Sequence, residues 1–401
     1  MPELHPIRLW DGHREVGLVR LRWSDGRIVS VEPDCTNHHA EVLSVIPGLI
    51  DTHVHLASYA GPDFQDYHTW PLTTHSTTRV LHAYANARKA LSVGVTTLRD
   101  MEADWCQVSL RDAVAHNILE GPRILAFGMV SMTGGHADLF TPPAVADRPM
   151  STADGPDACR KQVRTFARMG MDGIKIATGG GVLSIGDKPA WRNYTDAENL
   201  AIVDEAHALG LPVAAHAHDN AAIAAALRAD VDSIEHGTLM TAEQALTLAQ
   251  RHRSVAPTIL INDRIAAGIV AVPPAISHKA QDLVTARDRQ MQTAQKRGVQ
   301  FVLGTDSSGQ LMPFGLQWSE LAAMKDHIGL SDEEALQSAT VRAAEAIGCK
   351  QSLGVIAPGY LADFVVVRGT PWTDITHAGP PNIVAVVSRG HVVAGSLPTL
   401  A

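Results

Sequence analysis

Six residues with metal-binding or metal-bridging potential stand in or at the ends of short apolar runs of this 401-residue chain. His53 and His55 close VIPGLIDTHVH, Lys175 lies in DGIKIATGG, and His216 lies in LPVAAHAHD. His236 lies in VDSIEHGT and Asp306 ends VQFVLGTD. Imidazole nitrogens and carboxylate oxygens are the donors that divalent zinc and its neighbours accept. His53 and His55 are two residues apart, so on a strand their side chains leave the same face. A single strand histidine is more often a satisfied core or surface residue than a ligand. A set of six at five strand ends points instead to one shared site.

Such a site needs strands that end together. Eight short apolar runs alternate with amphipathic, alanine-rich stretches between about residues 45 and 347. The spacing predicts helices over 78–91, 106–119, 157–168, 196–209, 220–229, 242–251, 278–296 and 332–347. Strand–helix alternation predicts a parallel sheet with helical crossovers. Eight units match an α/β fold of the (β/α)8 TIM-type barrel, whose active site lies at the carboxyl ends of its strands. A doubly wound sheet would want a glycine-rich phosphate turn, and the chain has no GxGxxG or P-loop motif. LVRLRW and RIVSVEP near the start, and ADFVVVRG and IVAVVSRGHVVAG near the end, read as short strands. They predict a small β-sandwich-like domain built from both chain ends. The expected division is 1–46 and 353–401 for this β domain and 47–352 for the barrel.

Composition narrows the class. The chain is 45% hydrophobic and 19% charged, ordinary for a globular protein. Its net charge of −9 is spread out, and no Lys/Arg-rich run offers a nucleic acid stripe. No run of about 18 apolar residues predicts a membrane span, and the first residues lack a signal-peptide core. Cys35, Cys106, Cys159 and Cys349 are scattered, so no disulfide framework is expected and a reducing cytoplasm is the expected location.

PGLIDTHVH, GIKIATGG, VAAHAH, SIEHGT and LGTDSS, in this order, resemble the signature of the metal-dependent amidohydrolase superfamily. ATVRAAEAIGCKQSLGVIAPGYLADFVVV resembles that family's closing helix and return to its small sheet, so the likeness runs from about Ile46 to Val367. TTLRDME, GPRILAFG, SMTGGH and IKIATGGGV are similar to the imidazolonepropionase-like and Xaa-Pro dipeptidase-like branch, which carries two metals and a carboxylated lysine.

The resemblance implies two divalent metal ions, with zinc the expected identity. His53 and His55 would bind the more buried ion, with Asp306 as a further ligand, and His216 and His236 would bind the second. Lys175, carboxylated by CO2, would bridge them. The chemistry is consistent, because a free ammonium only donates, whereas a carbamate offers two anionic oxygens. A hydroxide held between two metals is a nucleophile at neutral pH. Asp306 would orient it, take its proton and pass that proton to the leaving nitrogen. The activity implied is hydrolysis of an amide C–N bond. Carbamate, ester or lactone hydrolysis by the same site is the alternative, and a metal-free relative that kept only the barrel is the non-enzymatic one. Mononuclear deaminases lack the bridging lysine.

His136, in TGGH, would contact substrate near the metals, as its counterpart does in the resembling dipeptidases; otherwise it is an exposed loop histidine. His218 shares a face with His216 and would also contact substrate, although dipeptidase-like relatives often carry Tyr there. Asp100 is either a partner of a ligand histidine or a helix N-cap. His82, His207, His252 and His278 read as surface residues.

Nine of the 19 aromatic residues follow predicted strand ends: Tyr59, Phe64, Tyr67, Trp70, Phe140, Trp191, Tyr194, Phe314 and Trp318. They predict either an apolar pocket or a subunit interface. The favoured substrate is therefore a small molecule, a dipeptide or N-acyl amino acid with a bulky apolar group. His136 and His218, with Arg192, would hold its polar end. The expected partners are that substrate and copies of the chain in a homo-oligomer, with no nucleic acid and no membrane.

Overall fold

In the computed structural model, which describes residues 1–34, 43–142, 144, 145 and 152–398, the chain starts with strand β1 (Glu3–Trp10). Asp25 and Gly26, with φ of 51° and 73°, then turn β2 (Glu15–Ser24) back into β3 (Arg27–Pro33). Two left-handed residues in a two-residue turn match the twist of a hairpin, and Asp-Gly suits them. β4 (Ser44–Pro47) follows; Cys35 lies outside the described residues. The sequence reading missed β1. A register shift between Leu4 and Ile7 breaks the two-residue alternation by which a strand is recognised.

Eight parallel strands come next: β5 (Leu49–Val54), β6 (Val95–Asp100), β7 (Arg123–Val130), β8 (Gly173–Ala177), β9 (Val213–Ala217), β10 (Ser233–His236), β11 (Ser254–Ala256) and β12 (Gln300–Phe301). Only two residues of VQFVLGTD pair regularly. The chain beyond them still joins β5: Thr52 N donates to Leu303 O at 2.8 Å, Asp306 N to His53 O at 2.8 Å and His55 N to Ser307 O at 2.8 Å. These bonds link the last strand to the first. Helices pack outside, so strands such as LIDTHV and VTTLRD are buried along their whole length. The α/β barrel with its separate terminal sheet is the fold the sequence predicts.

Besides the single turn Trp70–Thr73, two longer helices were not anticipated, Ile259–Ala266 and Gln317–Ile328. Helix Ile259–Ala266 starts on the last residue of the apolar run SVAPTI, which hides its period. The helix expected over 332–347 is two, Asp332–Ser338 and Val341–Ala346, broken at Thr340 with φ −129° and ψ −97°.

The chain ends with β13 (Phe364–Val367), β14 (Ile383–Ser388) and β15 (His391–Gly395). They join the first strands in one seven-stranded sheet, β15-β14-β13-β4-β1-β2-β3. Its buried face includes Leu4, Leu21, Trp23, Val45, Phe364 and Val387. Trp23 meets Phe364 edge-to-face at 5.0 Å between ring centroids. Because Phe364 is fully buried, Phe364→Ala is expected to lower the unfolding free energy by about 3–5 kcal/mol. A urea titration followed by circular dichroism measures it.

Candidate metal centre

His53, next to last in β5, is almost fully buried. Its Nδ1 is 2.7 Å from Glu235 Oε2, and an ionised carboxylate only accepts. The ring proton therefore sits on Nδ1, and the Nε2 lone pair is free for a metal, as in the carboxylate–histidine pairs of metal sites. Nε2 lies 3.6 Å from Asp306 Oδ1. Glu235 is itself held by Arg99 Nη2 at 3.0 Å and Ser233 Oγ at 2.7 Å. Arg99 also donates from Nε to Thr52 O at 2.7 Å. Burial alone would raise the Glu235 pKa, but the Arg99 charge and the His53 bond outweigh it and hold the carboxyl well below the usual range. Burial pushes the His53 imidazole down to about 4, so the ring is neutral, the form that ligates.

His55 faces two carboxylates: its Nε2 is 3.1 Å from Asp306 Oδ1 and its Nδ1 is 3.4 Å from Glu102 Oε2. Burial disfavours its charged form, yet Asp306 and Glu102 prevail and push its pKa up to about 10. This corner of the cavity therefore attracts positive charge.

His216 donates from Nε2 to Gly180 O at 3.1 Å, which leaves its Nδ1 as the lone-pair nitrogen. His236 Nδ1 is 2.6 Å from Thr258 Oγ1, and His218 Nδ1 is 2.8 Å from Thr238 Oγ1. One ligand atom from each of His216, His218 and His236 lies within 4.8 Å of the others, and the same holds for His53, His236 and Asp306. His236 belongs to both groups. Burial pushes His216 and His236 well below the usual histidine range and His218 down to about 3, so all three rings are neutral.

Lys175 is 4% exposed and lines the same cavity. Its Nζ forms no hydrogen bond or ion pair among the described residues. Burial lowers its pKa to about 8 despite the pull of Glu235 and Asp306. A fraction of this amine is therefore unprotonated near neutral pH, and the neutral amine is the form that adds CO2. Neutral His53, His216 and His236, the carboxylates drawn to His55, an ionised Asp306 and an unpaired lysine fit a pair of divalent ions.

The backbone is strained where these groups project. His236, Thr258 and Asp306 have φ of 72°, 48° and 57°. Non-glycine residues there cost about 1–3 kcal/mol each and persist when the surrounding structure holds them. Asp51 helps: it accepts from Thr305 Oγ1 at 2.7 Å and Thr305 N at 3.1 Å, beside Asp306.

His136 is 8% exposed, lines the cavity and stacks on His216 at 4.1 Å. Its Nδ1 is 2.8 Å from Ser184 Oγ. A Cβ on Gly181 would run into this ring, so glycine is required there. Asp100 caps no helix; Asp104 caps helix Trp105–Ala115. Asp100 accepts from Leu56 N at 2.7 Å and Glu102 N at 3.0 Å, and so ties the two strand ends together. The carboxylate partner of a ligand histidine is Glu235, which sequence reading missed together with Arg99 and Glu102. An acidic residue beside the ligand in SIEHGT was the available signal.

Arg192 is exposed and lines neither the site nor the chamber outside it. Three of the nine aromatic residues are also elsewhere. Tyr194 is buried and donates to Ala153 O at 3.0 Å, Trp318 donates to Val93 O at 2.8 Å, and Trp191 is 52% exposed. His82 is half-buried, accepts from Ala60 N at 3.0 Å and packs against Tyr59 and Trp70. His252 and His278 are exposed, and His207 pairs with Asp232 at 2.8 Å on the surface.

The metal-binding side of the cavity faces an apolar wall of Met101, Met129, Phe140, Val182, Ile261 and Ile265. Tyr67 and Phe140 stand at its mouth, which opens to a chamber of about 820 Å³ also lined by Tyr59, Phe64, Trp70 and Phe314. A strap crosses the rim where His68 Nε2 donates to Leu183 O at 2.9 Å.

The profile of the Amidohydrolase family matches residues 44–393. Ochratoxinase from Aspergillus niger is 30% identical over 381 residues, covering 88% of this chain and 76% of its own. The crystal structure of an amidohydrolase superposes with a TM-score of 0.88 at 31% identity, covering 99% of both chains. That of a Xaa-Pro dipeptidase with methionine bound in its active site superposes with a TM-score of 0.87 at 29% identity, covering 97% of this chain and 98% of its own.

Glu235→Gln removes the charge that fixes His53 and balances Arg99. It is expected to weaken metal binding about 10–100-fold, measured by competition with a chromogenic chelator.

Proposed function

The chain belongs to the amidohydrolase family and is a hydrolase of C–N bonds, and from that premise we propose that it is a binuclear enzyme. Its substrate is a dipeptide or N-acyl amino acid-like amide with a bulky apolar group. The observation that carries this is the convergence of His53, His55, Lys175, His216, His236 and Asp306 on one cavity with an apolar opposite wall. His53, His55 and Asp306 would hold one ion, His216 and His236 the other, and a carbamate on Lys175 would span both. Zinc fits the imidazole and carboxylate donors. Two such ions, when bound, polarise the scissile carbonyl and lower the pKa of a bound water.

The remaining work falls to the chain. Asp306 is held below the usual carboxylate range because the neighbouring His53, His55 and Lys175 outweigh its burial. It is thus ionised and able to accept a proton from the attacking water and deliver it to the leaving nitrogen. The Ser184 contact directs the His136 ring so that Nε2 is left for the substrate. Met129, Phe140, Val182 and Ile261 exclude water and favour an apolar side chain. The likeness to a Xaa-Pro dipeptidase holding methionine supports an amino acid-sized, apolar substrate.

Elemental analysis of protein grown with zinc and bicarbonate is expected to give two ions per chain; at most one tightly bound ion would exclude the binuclear site. Lys175→Ala should lose most activity and regain part of it with acetate, and near-normal turnover without acetate would remove the bridging role. Asp306→Asn should lower kcat by about 10²–10⁴-fold with the fold intact, read by circular dichroism beside steady-state kinetics. A change confined to KM would rule Asp306 out as the proton carrier. In a hydrolysis screen, a bulky aromatic N-acyl amino acid should be cleaved more efficiently than acetyl-glycine.

A further inference from the structure

Asn262 belongs to helix Ile259–Ala266 and shares with Ile261 and Ile265 the face that lines the inner cavity. It is 5% exposed, yet its carboxamide forms no hydrogen bond among the described residues. Its polar atoms are not sealed in the core but open onto the cavity, so the partner they lack within the protein can come from a bound substrate. The helix that carries it is held firmly. Glu320 accepts from Ile259 N at 2.6 Å and Leu260 N at 2.9 Å, and Arg287 Nη1 donates to Asp263 Oδ1 at 2.6 Å. Arg264 Nε adds a bond to Leu311 O at 2.9 Å. The helix thus presents the Asn262 side chain to the cavity from a firmly held backbone, which lowers the ordering cost of binding.

The fixed charge around it is equally informative. Among the described residues no arginine lines the inner cavity, and its cationic groups, Lys175 and His55, are both taken up by the metal centre in the reading above. A substrate carboxylate placed against Asn262 would be stripped of water with no further protein cation to replace that water. A neutral amide suits the position better. Asn offers two N–H donors and one carbonyl acceptor, and an amide group presents the complementary acceptor and donor.

We propose that Asn262 determines specificity by hydrogen-bonding a neutral amide group of the substrate next to the scissile bond. The preferred substrate is then an N-acyl amino acid whose carboxyl end is masked as an amide. This rests on the amide-hydrolase reading above and narrows it. A site built around a buried hydrogen bond discriminates strongly against an analogue that cannot make it.

The test compares N-acetyl-phenylalaninamide with N-acetyl-phenylalanine, using the full-length zinc-loaded protein. Wild type should favour the amide at least about tenfold in kcat/KM. Asn262→Leu should bring the ratio close to one, through a loss on the amide only. A preference for the free acid, or an equal loss on both in Asn262→Leu, overturns the assignment. Calorimetric titration of both compounds into the same protein reads the preference without turnover. Tighter binding of the amide in wild type, lost in Asn262→Leu, supports Asn262; equal affinity, including none, overturns it. Binding with that preference but no hydrolysis of either compound would count against the amide-hydrolase reading and leave Asn262 supported.

Discussion

The centre depends on one buried carboxylate, Glu235, joined to Arg99 on one side and His53 on the other. All three are almost fully removed from water. A charged group in that position is tolerated only when its partner and its remaining hydrogen bonds are supplied. Ser233 and the Thr52 carbonyl supply them. The network crosses the inside of the barrel, from β5 and β6 to β10, so it can form only when the strands are in register. Its outcome is a neutral His53 with one defined lone pair at the mouth. Each charge is balanced within the protein, which leaves the cavity side to be completed by cations.

Around that fixed point the site uses opposed environments. His55 sits between two carboxylates and Lys175 forms no ion pair among the described residues, although both line one cavity. The first invites a cation. The second loses its proton more readily than an ordinary lysine and is open to modification. The left-handed residues His236, Thr258 and Asp306 add backbone strain at the strand ends. Asp51, buried under Asp306, ties that turn to β5 through Thr305. The three left-handed residues lie on the face where side chains must turn inward, whereas the terminal sheet packs as an apolar layer.

The wall opposite the ligands comes from segments remote in sequence. Val182 follows β8, Phe140 follows β7, and Ile261 and Ile265 belong to the helix after β11. Histidine ligands could serve many hydrolytic reactions, so the choice of substrate lies with this wall. Because the wall is apolar, the polar groups beside the ligand set, among them His136, His218 and Asn262, carry weight in orienting a substrate.

The sequence by itself determined the α/β barrel and the six convergent residues, because strand ends in this architecture share one face and local motifs mark those ends. His53 and His55 were legible from a spacing of two, and His216, His236 and Asp306 from their place after apolar runs. The terminal sheet was legible in the hairpin around Asp25-Gly26, while β1 was hidden by its bulge. Only the tertiary structure decided the partners. Glu235 reaches His53 across 182 residues of sequence, and Asp51 reaches Thr305 across 254. Arg192 was placed at the substrate because it follows a strand, yet it lies on the surface; Asn262 sat in a run whose helix was concealed by the apolar residues before it. Periodicity reports which face of an element is buried, but not what it is buried against. A tautomer, a pKa or a pocket wall is set by neighbours that only chain closure brings together.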